Sequence, residues 1–513
     1  MVMKSKRKGM SRVGVIEILA CVFFFSSVFA ARPFPETVYD SVDHRSIFVF
    51  SDQISGNLSA GEARFAANHY VGCQKMSRAS IDLIRQYNPD FIHMHYKLGI
   101  TVDSMETYWM VIKGGWISDN RDPMSNWGEV RQHPDWQLKN AQGEMAVHGS
   151  PFRRVIMNLD NEEFREWWVN SCIEEMTDNG CDGVFADTYT VPAIFGRTNY
   201  PEMFNNSTTT TINNWIPKLN DYGAYLYSRL DSAGFYFYPN IDNLQTNWAD
   251  SKCHFYNGDN IHAAMMESWG NWAASSEAQN GIQQAARIQH NGVFIHGEGY
   301  FGEGHNMNNE LTDAQARMWL AGTYLLCNQG RMYLSMYGPS GKNLGMSGKT
   351  LWFPVYEIDL GAFESTWSSL FQVLWGVVFR RDYEKGFVLV NGSSGVRSVD
   401  LEGTYYLAED PGTTDEYWCD ENGKENVSLT YRPVTKLDMP AFSAAILLNE
   451  EPGCTQMPAG DFDGDGQLGL PDVIAMLLSI MAGGADDPCL DYNGDGRQNI
   501  LDAIALLLKA SGK

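Results

Sequence analysis

The 513-residue sequence contains no CxxC pair and no His/Cys pair at zinc-ligand spacing, which argues against a cysteine-based metal cluster. No Gly-rich fingerprint follows the first strand-like segment, against a dinucleotide-binding unit. No G-x-S-x-G elbow occurs, against a serine esterase. Basic residues are scarce: 38 Lys and Arg stand against 62 Asp and Glu, for a net charge of −24. Such a surface repels nucleic acid and anionic membranes and suits neutral or cationic material. Beyond residue 30 no apolar run approaches the roughly 20 residues of a membrane span.

The N-terminus does carry an apolar run. "MVMKSKRKGMSR" is basic, "VIEILACVFFFSSVFA" is apolar apart from Glu17, and Val28 and Ala30 suit a signal peptidase. The expectation is a signal peptide over 1–30 and an exported protein, in preference to a membrane anchor or a lipoprotein through Cys21. Removing five basic residues and Glu17 with it lowers the net charge from −24 to −28. Eight of the nine cysteines then remain; Cys454 and Cys489 bracket an acidic loop and could pair, while the other pairings stay open.

The middle of the chain alternates apolar strand-like runs with helix-like ones. The strand-like runs are "RSIFVFSDQ", "FIHMHYKLG", "RRVIMNLDN", "CDGVFADTYT", "FYFYPNID", "IHAAMMESWG", "VFIHGEGYFG" and "RMYLSMYG". Strands apolar throughout and separated by helices indicate a parallel sheet under helices. About eight units predict an α/β (β/α)8 barrel over residues 31–358, with a doubly wound open sheet as the alternative. From 359 to 450 short alternating runs with "NG" and "EG" turns predict a small antiparallel β domain. Residues 451–459 read as a linker.

Residues 460–513 hold two near-copies of one loop, "DFDGDGQLGLPD" and "DYNGDGRQNILD", each leading into an apolar helix. Oxygen ligands at positions 1, 3, 5, 7 and 12 with glycine at 6 make a calcium loop. The predicted ligands are Asp461, Asp463, Asp465, the Gln467 carbonyl and Asp472, then Asp491, Asn493, Asp495, the Arg497 carbonyl and Asp502. With Asp at position 12 and no helix before either loop, the segment resembles a dockerin. That resemblance implies two Ca²⁺ and a cohesin-type scaffold or cell-surface partner. Leu470-Pro471 and Ile500-Leu501 stand where the family often has Ser or Thr.

Catalytic groups of a barrel project from the C-terminal ends of its strands. Four apolar residues lead directly to Asp187 in "GVFAD", and likewise to Glu267 in "AAMME". Two carboxylates on one mouth are the minimal equipment for glycoside hydrolysis. Asp187 is expected to be nucleophile or base and Glu267 acid/base, with Glu298 competing for the acid role. Asp52, His95, Lys97, Asn240, Asp242 and His296 are expected to bind substrate, and Tyr189 and Trp269 to form sugar platforms. His93 and His95 could instead be buried.

The stretches "DGVFADTYT", "MMESW", "VFIHGEG" and "LWFPVYEIDLG" resemble the alpha-galactosidase-like superfamily of glycoside hydrolases, nearest to the hypothetical glycosyl hydrolases called family fifteen. The resemblance spans about residues 45–450. It implies a nucleophile at the end of the fourth barrel strand and the acid/base at the end of the sixth, and no cofactor for catalysis. The expected protein is a secreted, dockerin-bearing glycoside hydrolase acting on a poly- or oligosaccharide. A silent carbohydrate-binding or scaffold component, or a transglycosylase with the same pair, are the rivals.

Overall fold

A computed structural model describes residues 31–39, 45–52, 54, 58–103, 127–139, 143–148, 154–189, 214–241, 257–272, 275–301, 311–337, 352–363, 372–374, 378–411, 429–452, 469–481 and 499–511. Its strands in chain order begin with β1 (Val49–Ser51), β2 (Tyr70–Gln74) and β3 (Ile92–Leu98). An excursion follows: β4 (Thr101–Asp103), β5 (Val147–His148) and β6 (Arg154–Ile156). Then come β7 (Gly183–Asp187), β8 (Tyr236–Pro239), β9 (Ala263–Glu267), β10 (Phe294–Tyr300) and β11 (Met332–Tyr337).

Eight of these form one parallel sheet in the order β8-β7-β3-β2-β1-β11-β10-β9. The two ends of that order meet. Asn240 bridges Met265 in parallel, and Ile241 N donates to Met265 O at 3.0 Å. The sheet is therefore a nearly closed eight-stranded barrel, as the alternation of elements predicts. Helices cover its outside, and their ends obey local chemistry. The helix Glu162–Asn179 starts on the Asn161 cap and stops at Gly180, whose φ of 65° an L side chain resists.

The barrel differs from the expected one in two strands, and the two differences offset each other. The second barrel strand is "YVGCQ", a segment too short, and interrupted by a central glycine, to stand out in sequence. Its Gly72 is required: a Cβ there would lie 2.6 Å from the Phe50 ring and 2.7 Å from the Ile92 carbonyl. "RRVIMNLDN", expected in the barrel, instead supplies β6, the middle strand of the antiparallel β4-β6-β5 sheet. A further strand-like run, "WMVIKGGWIS", lies outside the described residues. One strand gained and one lost leave β7 as the fourth barrel strand and β9 as the sixth.

Because side chains alternate along a strand, every second residue enters the barrel. The interior is filled from below by Phe34, whose ring lies 4.7 Å from Tyr236 and 5.2 Å from Phe294. Above it lie Phe50, Met94, Phe185, Tyr238 and Met265. Going up the same columns, the next inward positions are Asp52, Tyr96, Asp187, Asn240, Glu267 and Glu298.

After the barrel, β12 (Gln372–Leu374), β13 (Val378–Tyr383), β14 (Gly386–Asn391), β15 (Arg397–Glu409), β16 (Thr430–Met439) and β17 (Ser443–Leu448) form an antiparallel sheet. It is fastened to the helix Asp313–Cys327 by the buried pair Arg317–Asp410 at 2.7 Å and by Tyr383 donating to Leu325 O at 2.7 Å. Helices Leu470–Met481 and Ile500–Ala510 pack on each other through Val473, Met476, Ala503 and Leu506. Among the described residues, Cys73, Cys172, Cys181 and Cys327 are buried free thiols, and no helix is long and apolar enough to cross a membrane.

Candidate active site

Asp187 ends β7 and Glu267 ends β9, so both leave the barrel at the same rim. Asn240, just past β8 between them, joins the two. Its Nδ2 donates to Asp187 Oδ1 at 2.9 Å and to Glu267 Oε2 at 2.7 Å. One nitrogen touching both oxygens means that they are no farther apart than the sum of those two lengths. So close an approach of the two facing oxygens is compatible with the about 5–5.5 Å separation of a retaining pair.

Asp187 is held ionised. Burial pushes its carboxyl up, but Arg154, the Tyr96 hydroxyl, Lys75 and the Asn240 amide outweigh burial and bring it below the usual carboxylate range. Tyr96 O–H donates to Oδ2, and Thr188 N donates to Oδ1 at 2.6 Å. Arg154 reaches the same corner, donating to Thr188 Oγ1 at 2.8 Å.

On the other side of Glu267 stands Glu298, its register partner on β10. Glu298 is only 3 % exposed. Burial first, then the charges of Asp52 and Glu267, push its carboxyl well above the usual range. The Tyr300 hydroxyl contacts Glu298 Oε1 and lies 3.2 Å from Glu267 Oε1. Lys75, after β2, places its Nζ 2.7 Å from both oxygens of Asp52. Burial alone would lower the Lys75 ammonium pKa, but Asp52, Glu298 and Asp187 raise it above the ordinary value. Lys75, Thr188 and Ser268 each directly follow the last residue of a barrel strand, and each has positive φ, between 58° and 61°. Strained backbone of this kind, about 1–3 kcal/mol per residue, persists only where the surroundings enforce it.

Several expected substrate-binding residues do not face this mouth. His95 and Lys97 alternate with inward-facing Tyr96 and point outward. His95 Nε2 meets Glu175 Oε2 at 2.8 Å, and Lys97 Nζ meets the same oxygen at 3.1 Å. His93, on the same outer face, lies 3.5 Å from Cys181 Sγ. Tyr189 is fully buried, donating to Leu219 O at 3.0 Å. Trp269 is fully buried too, donating to Thr323 Oγ1 at 3.0 Å, with its ring 5.0 Å from Trp272. Neither ring can stack on a sugar. His296 does point inward but lies below the rim, between Tyr238 at 2.5 Å and Ser335 at 2.7 Å. Burial pushes its imidazole down to about 3, so it is neutral. Asp52, Asn240 and Glu298 are at the mouth. Asp242 lies outside the described residues.

Lys75, Tyr96, Arg154 and Tyr300 are at the site without having been expected there. Tyr96 and Tyr300 carried a signal, since each shares inward parity with a mouth position on its own or a neighbouring strand. Lys75 and Arg154 carried none, because one follows an unrecognised strand and the other comes from the excursion.

The sequence model described as Hypothetical glycosyl hydrolase family 15 matches residues 85–387, more than half of the chain. The chain belongs to this family. It is accordingly a glycoside hydrolase built on a barrel. None of the curated proteins matches it. Among solved structures it is similar to a noncanonic maltogenic alpha-amylase from Thermotoga neapolitana, at 9% identity over 78% of this chain and 98% of that one, with a TM-score of 0.38. It is similar to a GH36 alpha-galactosidase from Geobacillus stearothermophilus at 10% identity over 80% of this chain, TM-score 0.37. A cycloisomaltooligosaccharide glucanotransferase of Paenibacillus sp. matches at 10% identity over 80% of this chain, TM-score 0.35. The hydrolase spans 56% of the length of each of these last two.

Proposed function

We propose that this glycoside hydrolase cleaves a poly- or oligosaccharide with retention, Asp187 acting as nucleophile and Glu267 as acid/base. The observation that carries the reading is the single Asn240 amide spanning both carboxylates. Asp187, ionised and aimed by Tyr96 and Thr188, attacks the anomeric carbon while the Glu267 carboxyl gives its proton to the departing oxygen. Glu267, now a carboxylate, takes a proton from water as that water releases the sugar from Asp187. Asp52 and Lys75 provide an acceptor and a donor beside the pair for sugar hydroxyls.

The reading includes export after residue 30 and a calcium-binding tether. Ala31 N donates to Gly234 O at 3.1 Å and Arg32 N to Asp182 Oδ1 at 3.1 Å, which ties the segment after residue 30 to the barrel. Asp472 and Asp502, in the first turns of the two terminal helices, are 1 % and 0 % exposed. One oxygen of each accepts from the backbone N–H of Gly469 or Asn499, at 2.6 and 2.7 Å. Buried carboxylates at that position suit a cation. Asp461, Asp463, Asp465 and Gln467, with Asp491, Asn493, Asp495 and Arg497, would complete the two ligand sets; all eight lie outside the described residues. Exposed Ile474, Leu478, Ile504 and Leu508 offer apolar stripes to a cohesin-type partner, which raises the enzyme's local concentration at its substrate.

The test is a glycan panel digested by the full-length protein, with product anomers followed by NMR from the first minutes. Turnover giving the retained anomer, lost in Asp187→Asn and in Glu267→Gln, is expected. Binding without turnover, or an inverted product, overturns the proposal.

A further inference from the structure

The Tyr300 hydroxyl touches two carboxyl groups but has one proton to give. It contacts Glu298 Oε1 and lies 3.2 Å from Glu267 Oε1. The phenol itself stays protonated, its pKa raised by burial and then by Glu298 and Glu267. If both carboxyls were ionised, one of them would face the lone pairs of the phenol oxygen without a proton between. Glu267 and Glu298 are also register partners on adjacent parallel strands, where like charges repel.

We propose that Glu267 and Glu298 share one carboxyl proton through Tyr300, so that Glu298 sets the acid strength of Glu267. This rests on the retaining reading above and extends it with two positioning residues. The three groups hold two protons. In one arrangement Glu298 donates to the Tyr300 oxygen, and Tyr300 donates to Glu267. In the other, Glu267 donates to Tyr300, and Tyr300 donates to Glu298. Passing between them moves two protons and one negative charge, and changes neither total.

The second arrangement is the working acid. When Glu267 gives its proton to the leaving oxygen it joins Glu298 as an anion, and the Asp187 carboxylate simultaneously becomes a neutral ester. The net charge of the enzyme groups therefore stays constant. Water then returns a proton to Glu267 as the ester is hydrolysed. The other groups around Glu298 set which arrangement is preferred. Asp52 on the β1 side and Glu267 on β9 disfavour its charge, and Lys75 after β2 favours it. Tyr238 on β8 and Tyr337 on β11 are close enough to feel it. Its Oε2 is buried and has no hydrogen-bond partner among the described residues, which disfavours a permanent anion there.

Infrared difference spectra of the full-length protein across pH test this without any substrate. The protonated-carboxyl band that disappears in Glu298→Gln is assigned to Glu298, and its titration midpoint is followed. Sharing predicts that Glu267→Gln lowers that midpoint by at least about one pH unit, tenfold in proton affinity. Made in a Tyr300→Phe background, the same change should move it less. A midpoint unmoved by Glu267→Gln overturns the proposal. If Glu298→Gln fails to fold, Glu298→Asp assigns the band by shifting its frequency, and the midpoint in Glu267→Gln is judged by the same criterion. With a hydrolysed aryl glycoside, Glu298→Gln should also shift the alkaline limb of kcat/KM to lower pH, a shift that an unaltered limb would contradict. Absence of all turnover would overturn the hydrolase reading alone, and an unmoved midpoint in an active enzyme would overturn only the shared proton.

Discussion

Asn240 is the residue through which the site is most directly tested. Its amide uses both N–H groups on the two carboxylates. Asn240→Asp places a third anion against Asp187, which raises the Asp187 pKa. The acidic limb of kcat/KM should move to higher pH by roughly one unit, with kcat reduced; a limb that stays in place would contradict the geometry. Glu267→Gln should reduce kcat about 10²–10⁴-fold for poor leaving groups. It should cost far less for leaving groups that need no protonation, a split read from a leaving-group series. At this scale the positions of Asp187 and Glu267 at strand mouths are legible in the sequence, because an apolar run ending in a carboxylate places that carboxylate there. Their neighbours Lys75 and Arg154 are not, because long-range folding alone brings them in.

At the scale of the element, β3 shows how parity governs function. "IHMHYKL" offers His93, His95 and Lys97 on one face and Met94, Tyr96 and Leu98 on the other. The polar set attracts attention in sequence, yet it is the apolar set that faces the barrel interior. The polar face is instead satisfied by Glu175 of the helix Glu162–Asn179. Burial pushes the Glu175 carboxyl up, but Lys97 first and then His95 outweigh it and hold it down at about 2. With the folded pKa below the unfolded one, the stabilisation is present above the ordinary carboxylate range and is lost as pH falls through about 2. Glu175→Gln leaves the Lys97 ammonium buried without its counter-charge. It should destabilise the fold by about 3–5 kcal/mol in urea unfolding at pH 7, with kcat/KM of the folded fraction retained. A loss of activity with unchanged stability would return His95 and Lys97 to the substrate side.

At the scale of the whole molecule, the barrel, the antiparallel sheet and the terminal helix pair are distinct elements of the fold. Alternating apolar and helical segments suffice to read the barrel, although β2 does not stand out and the β6 segment resembles a barrel strand, because a five-residue strand with a central glycine has almost no periodicity. Chelation should melt the helices Leu470–Met481 and Ile500–Ala510 while leaving turnover of a soluble glycan intact. Loss of helical signal and of partner binding under a chelator, restored by Ca²⁺, checks this, and an unchanged module would contradict it. Acid should weaken the molecule earlier than its carboxylates alone require. His93 and His296 are pushed down to about 3, chiefly by burial. Each therefore contributes stability that is full above the ordinary imidazole value and is lost as pH falls toward about 3. His93→Asn should flatten the fall of unfolding free energy by up to about 1.4 kcal/mol per pH unit between roughly pH 6 and 4, measured by urea titrations at each pH.

In the proposed reaction Asp187 bonds to the sugar while Glu267 handles the proton. Glu267→Gln, given an aryl glycoside whose leaving group needs no acid, forms the ester but hydrolyses it slowly. Peptide mapping of that stalled protein by mass spectrometry should find one glycosyl unit on the peptide containing Asp187. A burst of aryl release with the sugar on another residue, or no adduct at all, would contradict the account.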